Sequence, residues 1–134
     1  MPSIKIVEGK ISVKDKKVHR IFYDKLNEEF YIDTENPEYL LHTNLSESIS
    51  SAAQTSSGSD GRYKYVLSLT YTLNSKTGKK VSSGSVKSIS SYESSISRFT
   101  TYSAEKDMLD KLIISIIDKL KLKIITNIDN NSQL

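Results

Sequence analysis

The sequence predicts an α+β fold, a single four-stranded mixed sheet with two helices packed on one face as a two-layer sandwich. Three observations carry that expectation. Arg62–Leu73 alternates, with Tyr63, Tyr65, Leu67, Leu69, Tyr71 and Leu73 at every second position and Val66 the exception on the otherwise polar face. Two other stretches repeat apolar residues at three- and four-residue steps, which is helical spacing. The order of elements is β, α, β, a β-hairpin and a final α, gathered in 134 residues, a length that fits one domain spanning 1–134 with its core in about 4–124.

Each element follows from its residues. Ile4, Ile6, Val7, Ile11 and Val13 read as a strand or a pair of extended pieces broken at Gly9. Asp15 is placed to cap the next helix. Over about residues 16–30, Val18, Ile21, Phe22, Leu26 and Phe30 line one side, with Lys16, Lys17, Asp24 and Glu28 outside. Asn36-Pro37 stops any continuation. Tyr39, Leu41, Thr43 and Leu45 alternate with Leu40, His42 and Asn44, a strand. Serine and threonine then dominate: the stretch at about 48–61 carries little apolar mass and reads as a mobile loop.

The alternating Arg62–Leu73 strand ends in the turn Asn74–Lys79. From Lys80 to Tyr92 the chain continues extended, with Val81, Ser83, Ser85, Lys87 and Ile89 sharing one face, so the two strands read as a hairpin. Ser103 is placed to cap the last helix, with Glu105 and Asp107 in its first turn. Met108, Leu109, Leu112, Ile113, Ile116, Ile117, Leu120 and Ile124 form its core stripe, and Lys119, Lys121 and Lys123 fall where a helix C-terminus favours cations. The polar tail, about 126–134, is expected to fray.

Composition excludes more chemistry than it supports. The chain has no cysteine, hence no disulfide, thiolate metal site or cysteine nucleophile. Its two histidines, His19 and His42, make a histidine-rich metal centre unexpected. The longest apolar run is Leu112–Ile114, far short of a membrane span. Neither a phosphate-binding loop nor a nucleophile elbow occurs: Thr77-Gly78-Lys79-Lys80 and Ser83-Gly84-Ser85 lack the required neighbours. The reading is a non-enzymatic protein without catalytic residues, metal or cofactor.

Charge is unevenly spread. Residues 31–61 hold five acidic and no basic side chains, whereas 62–102 hold seven basic and one acidic. Such a basic stretch favours phosphate-bearing partners: nucleic acid, anionic lipid or a phosphorylated glycolipid. The plainer alternative is lysine kept on solvated strand faces for solubility and edge protection. Nucleic-acid binding by the 62–87 hairpin requires aromatics exposed beside the lysines. Tyr63, Tyr65 and Tyr71 share the Leu67 and Leu69 face and are expected inside, so nucleic acid is not the expected partner. A generic α+β interaction module remains open.

From Arg62 to Leu122 the chain resembles a known family. The carrying segments are Tyr65-Val66-Leu67-Ser68-Leu69-Thr70-Tyr71-Thr72-Leu73, a turn with Thr77-Gly78, Ser83-Gly84-Ser85, Ser90-Ser91-Tyr92, and Phe99–Asp107 leading into a long helix. Their order resembles the lipopolysaccharide-assembly lipoprotein LptE family in its alphaproteobacterial form. The earlier strand, helix and strand fit more loosely, so the resemblance covers about residues 4–124.

It implies a four-stranded sheet with two helices on one face. It also implies a lipid-anchored protein on the periplasmic side of the outer membrane. Such a protein plugs the β-barrel LptD, helps it assemble and helps lipopolysaccharide reach the outer leaflet. The family's signal peptide and lipobox Cys are absent here, and Met1-Pro2-Ser3 reads as a trimmed start from which both were removed. Candidate contacts to lipopolysaccharide or another anion are Arg62, Lys64, Lys76, Lys79, Lys80 and Lys87, with Arg98 and Lys106 before and within the last helix. Arg62, Arg98 and Lys106 match the family's basic positions by place only.

Overall fold

The computed structural model describes residues 2–13, 16–54, 61–93 and 98–132. Six elements follow one another: β1 (Ile4–Ser12), α1 (Lys16–Glu29), β2 (Tyr39–Gln54), β3 (Gly61–Ser75), β4 (Lys80–Glu93) and α2 (Arg98–Ser132). The strands form one sheet in the order β1-β2-β3-β4. β1 runs parallel to β2, with α1 as the crossover that a parallel pair requires. The β2–β3 and β3–β4 pairs are antiparallel. The expected mixed sheet and two-layer sandwich are therefore present.

One core joins the layers. The sheet contributes Ile4, Leu41, Leu45, Tyr65, Leu67, Leu69, Tyr71 and Leu73. α1 brings Val18, Phe22 and Leu26, and α2 brings Leu112, Ile113, Ile116, Ile117, Leu120 and Ile124. Both helices lie on the same face because both present their apolar stripes to this cluster. The long elements match in reach: a strand of 16 residues and a helix of 35 each span roughly 50 Å.

Several expectations are corrected. β1 crosses Gly9 as one strand, with a register irregularity between Glu8 and Ile11. A Cβ at Gly9 would lie 2.4 Å from Asn44 Oδ1 and 2.7 Å from the Thr43 carbonyl, so only glycine allows this approach. Asn44 Oδ1 there accepts the Lys10 amide at 2.7 Å.

The Ser-rich stretch is not loop throughout. Ser48, Ile49 and Ser50 pair with Val66, Tyr65 and Lys64, and β2 continues to Gln54 before 55–60 leaves the described residues. A ladder is made of backbone groups, so a long partner strand can recruit a serine-rich segment.

α2 begins at Arg98, so Ser103 lies inside the helix and does not cap it. The helix also runs on through the expected tail to Ser132, because Ile128 packs against the core. Lys119, Lys121 and Lys123 are consequently mid-helix, and the last turn holds no basic residue. Asp15 falls outside the described residues.

Candidate functional site

Among the described residues, no helix covers the second face of the sheet. Strand register assembles it in rows: Lys5, Leu40, Asn74 and Lys80; Val7, His42, Thr72 and Ser83; Asn44, Thr70 and Ser85; Ser12, Ser46, Ser68 and Lys87; then Ser48, Val66 and Ile89. The alternation that buries Leu41, Leu45, Leu67 and Leu69 turns these residues outward. Among the described side chains the face holds lysines, hydroxyls, amides and a few apolar groups, and no carboxylate. His42 is its only described aromatic, since Tyr65 and Tyr71 are buried.

The candidate cations distribute over this frame unequally. Lys64 and Lys87 are exposed on the open face, and Lys80 is exposed at its β3–β4 end. Lys76 and Lys79 occupy the adjoining turn, where Gly78 takes φ 91° and the Ser75 amide donates to the Lys79 carbonyl at 2.8 Å. Only Lys76, Lys79 and Lys80 form a cluster by position. Lys64 is twelve residues of extended chain from Lys76, about 40 Å. Lys106 is exposed on α2, in the other layer. Arg62 and Arg98 fall at the starts of β3 and α2, where only the backbone is described. The eight residues therefore do not converge on one point.

Three further features escaped the sequence. First, Lys119 and Lys123 of α2 reach over β4, the outer edge of the sheet. Lys119 Nζ donates to the Lys87 carbonyl at 2.8 Å, and Lys123 Nζ to the Ser85 carbonyl at 3.2 Å. Asn127 Nδ2 donates to Ser82 Oγ at 2.6 Å. By sequence Lys119 and Lys123 read as dipole partners in a last turn; only the tertiary seam shows them covering part of a strand edge.

Second, Tyr23 and Thr43 form a buried polar chain. The two hydroxyls lie 2.8 Å apart, and Thr43 Oγ1 donates to the Val7 carbonyl at 3.2 Å. Burial pushes the Tyr23 pKa above its ordinary value; the Thr43 hydrogen bond opposes this and the Glu8 carboxylate adds to it.

Third, a groove of about 540 Å³ runs between β1 and α1, lined by Lys5, Ile6, Val7, Glu8, Tyr23 and Asn27. His19 and Glu8 pair across the same two elements at 3.1 Å. His19 and His42 lie in different layers, and no cluster of three potential metal ligands exists among the described residues.

No family model matches the chain, and no curated protein matches its sequence. Solved structures do match its shape. A protein described as a lipoprotein from Caulobacter crescentus superposes with a TM-score of 0.68 at 15% identity, over 96% of this chain and 91% of that one. The rare lipoprotein B from Shewanella oneidensis gives 0.68 at 12% identity, over 97% and 98%. The chain shares the fold of these bacterial lipoproteins. A lipoprotein B from Nitrosomonas europaea agrees, with a TM-score of 0.67 at 10% identity over 93% and 84%. No helix among the described residues is long and apolar enough to cross a membrane.

Proposed function

We propose that the chain is a non-enzymatic component of an outer-membrane lipopolysaccharide translocon. In this reading it is held at the periplasmic side by a lipid anchor and lodged as a plug in an LptD-like β-barrel. There it assists the barrel's assembly and the delivery of lipopolysaccharide to the outer leaflet. The observation that carries the reading is the uncovered sheet face, whose described side chains combine hydroxyls, amides and lysines without a carboxylate. A polar barrel lumen is a fitting counterpart for such a face. The lysines Lys76, Lys79 and Lys80 at its end are placed to meet lipid phosphates as charge-assisted donors. The shared fold with rare lipoprotein B supports the reading at the level of shape.

The test is a tagged natural precursor recovered from outer membrane in mild detergent. A stoichiometric large β-barrel is the expected companion, and recovery without one would refute the plug. Separately, reversing Lys76, Lys79 and Lys80 to glutamate should weaken lipopolysaccharide binding and leave the melting temperature within a degree or two, since all three are exposed. Unchanged binding would remove the hairpin tip as a contact.

A further inference from the structure

We infer that the β1 edge, over Ile6–Glu8, is a docking site for an extended acidic polypeptide segment that adds a strand to the sheet beside α1. The Ile4 amide donates to the Tyr31 carbonyl at 2.8 Å, and the Ile4 carbonyl accepts from the Asp33 amide at 3.1 Å, in a short parallel bridge with Ile32. Ile4 thus turns both of its backbone groups outward, away from β2. A strand alternates, so Lys5 and Val7 bond inward and Ile6 and Glu8 point outward. The Val7 carbonyl, accepting Thr43 Oγ1 from the β2 side, has the orientation this requires. Past the 31–33 segment, the Ile6 and Glu8 amides and carbonyls meet no partner among the described residues.

The opposite edge is obstructed at its centre, because Lys119 and Lys123 already hold the Lys87 and Ser85 carbonyls. β1 carries no such side-chain cover over Ile6–Glu8 among the described residues, so a strand can add there. Alongside it lies the 540 Å³ groove, with Tyr23 and Asn27 as its far wall, roomy enough for the alternate side chains of an incoming strand.

Charge selects the occupant. Lys5 borders the groove from the open-face side of β1, and Lys16 and Arg20 lie eleven and seven residues before Asn27 on the α1 side, on the same helical stripe and exposed. Glu8, the carboxylate lining the groove, is engaged by His19. Asp24 stands one stripe further out. A second copy would bring the same three cations against these, so an acidic segment is favoured over self-pairing. This inference stands apart from the translocon reading and does not need a glycolipid or a barrel.

The probe is a short capped peptide alternating valine with glutamate, added to the full chain, with its lysine counterpart as control. Amide hydrogen exchange at Ile6 and Glu8 should slow at least about tenfold with the glutamate peptide only, the protection expected of a newly paired strand. Unchanged exchange would overturn the site. Equal protection by both peptides would overturn the acidic occupant. Protection that grows with protein concentration alone would assign the edge to a second copy instead.

Ile6→Pro deletes an outward amide and no ladder bond, so it should abolish binding with the sheet intact. Should that variant misfold, Asn27→Trp fills the groove from an exposed helix position and should weaken the peptide about tenfold. Wild-type affinity in Asn27→Trp would refute the groove.

Discussion

The Tyr23–Thr43 pair makes a quantitative demand on the core. Thr43 is fully buried and Tyr23 is 5% exposed, with the hydroxyls 2.8 Å apart. Thr43→Val keeps the shape and removes the central hydroxyl, leaving the Tyr23 phenol without a partner. A buried polar group left unsatisfied costs about 1–3 kcal/mol. Tyr23→Phe is milder, about 0.5–1.5 kcal/mol, because Thr43 still donates to the Val7 carbonyl.

The double variant orphans no side chain, so its cost should fall short of the sum of the single costs by about 1 kcal/mol or more. Urea unfolding of the four proteins closes the cycle. Additivity within about 0.5 kcal/mol would show that the two hydroxyls do not depend on one another.

The same pair predicts a pH dependence. The folded-state pKa of Tyr23 is raised above the ordinary 10.0 by burial. Above that ordinary value the unfolded chain releases the phenol proton first, so the folded state binds more protons. The stability from this group is present below pH 10 and is lost as pH rises through the folded pKa. Wild type should therefore lose stability in that alkaline window faster than Tyr23→Phe, and parallel curves would contradict the assignment.

Other expectations are briefer. Ile116 is wholly buried between α2 and the sheet, so Ile116→Asp should abolish cooperative unfolding at neutral pH by circular dichroism. A folded variant would disprove the helix register. Gly78→Ala should cost about 1–3 kcal/mol in urea unfolding, from the φ of 91° alone, since nothing lies within 4 Å of the added Cβ. Replacing Lys119 and Lys123 together by alanine should speed amide exchange in β4 and raise light scattering on heating. Unchanged scattering would mean that the edge needs no cover.

The fold was legible where apolar contrast was strong. Tyr65, Leu67, Leu69, Tyr71 and Leu73 announced β3, and the stripe from Met108 to Ile124 announced α2. β4 announced its extension but not its buried side. The inward positions are Ser82, Gly84, Val86 and Ser88, nearly as polar as the outward Ser83, Ser85 and Lys87. They can be small and polar because α2 crosses above them and Ser88 Oγ bonds Ser115 Oγ at 2.9 Å.

Sequence contrast failed again at Ser48–Gln54, where backbone pairing with β3 extends the strand. The candidate cations were visible as a charge excess. Their dispersal over about 40 Å was not, because spacing along a strand becomes distance only once the hairpin register is known. The β1 groove and the lysine cover on β4 are tertiary: each joins residues far apart in sequence.

The lysine cover on β4 also limits how copies of this chain can associate. Runaway growth of stacked sheets requires two available edges on every molecule, one to receive and one to offer. Here the β4 side is occupied by the molecule's own ammonium groups. A chain that meets another through β1 is left with a second edge obstructed at Ser85 and Lys87. Edge pairing is thereby biased toward a closed couple and against a filament.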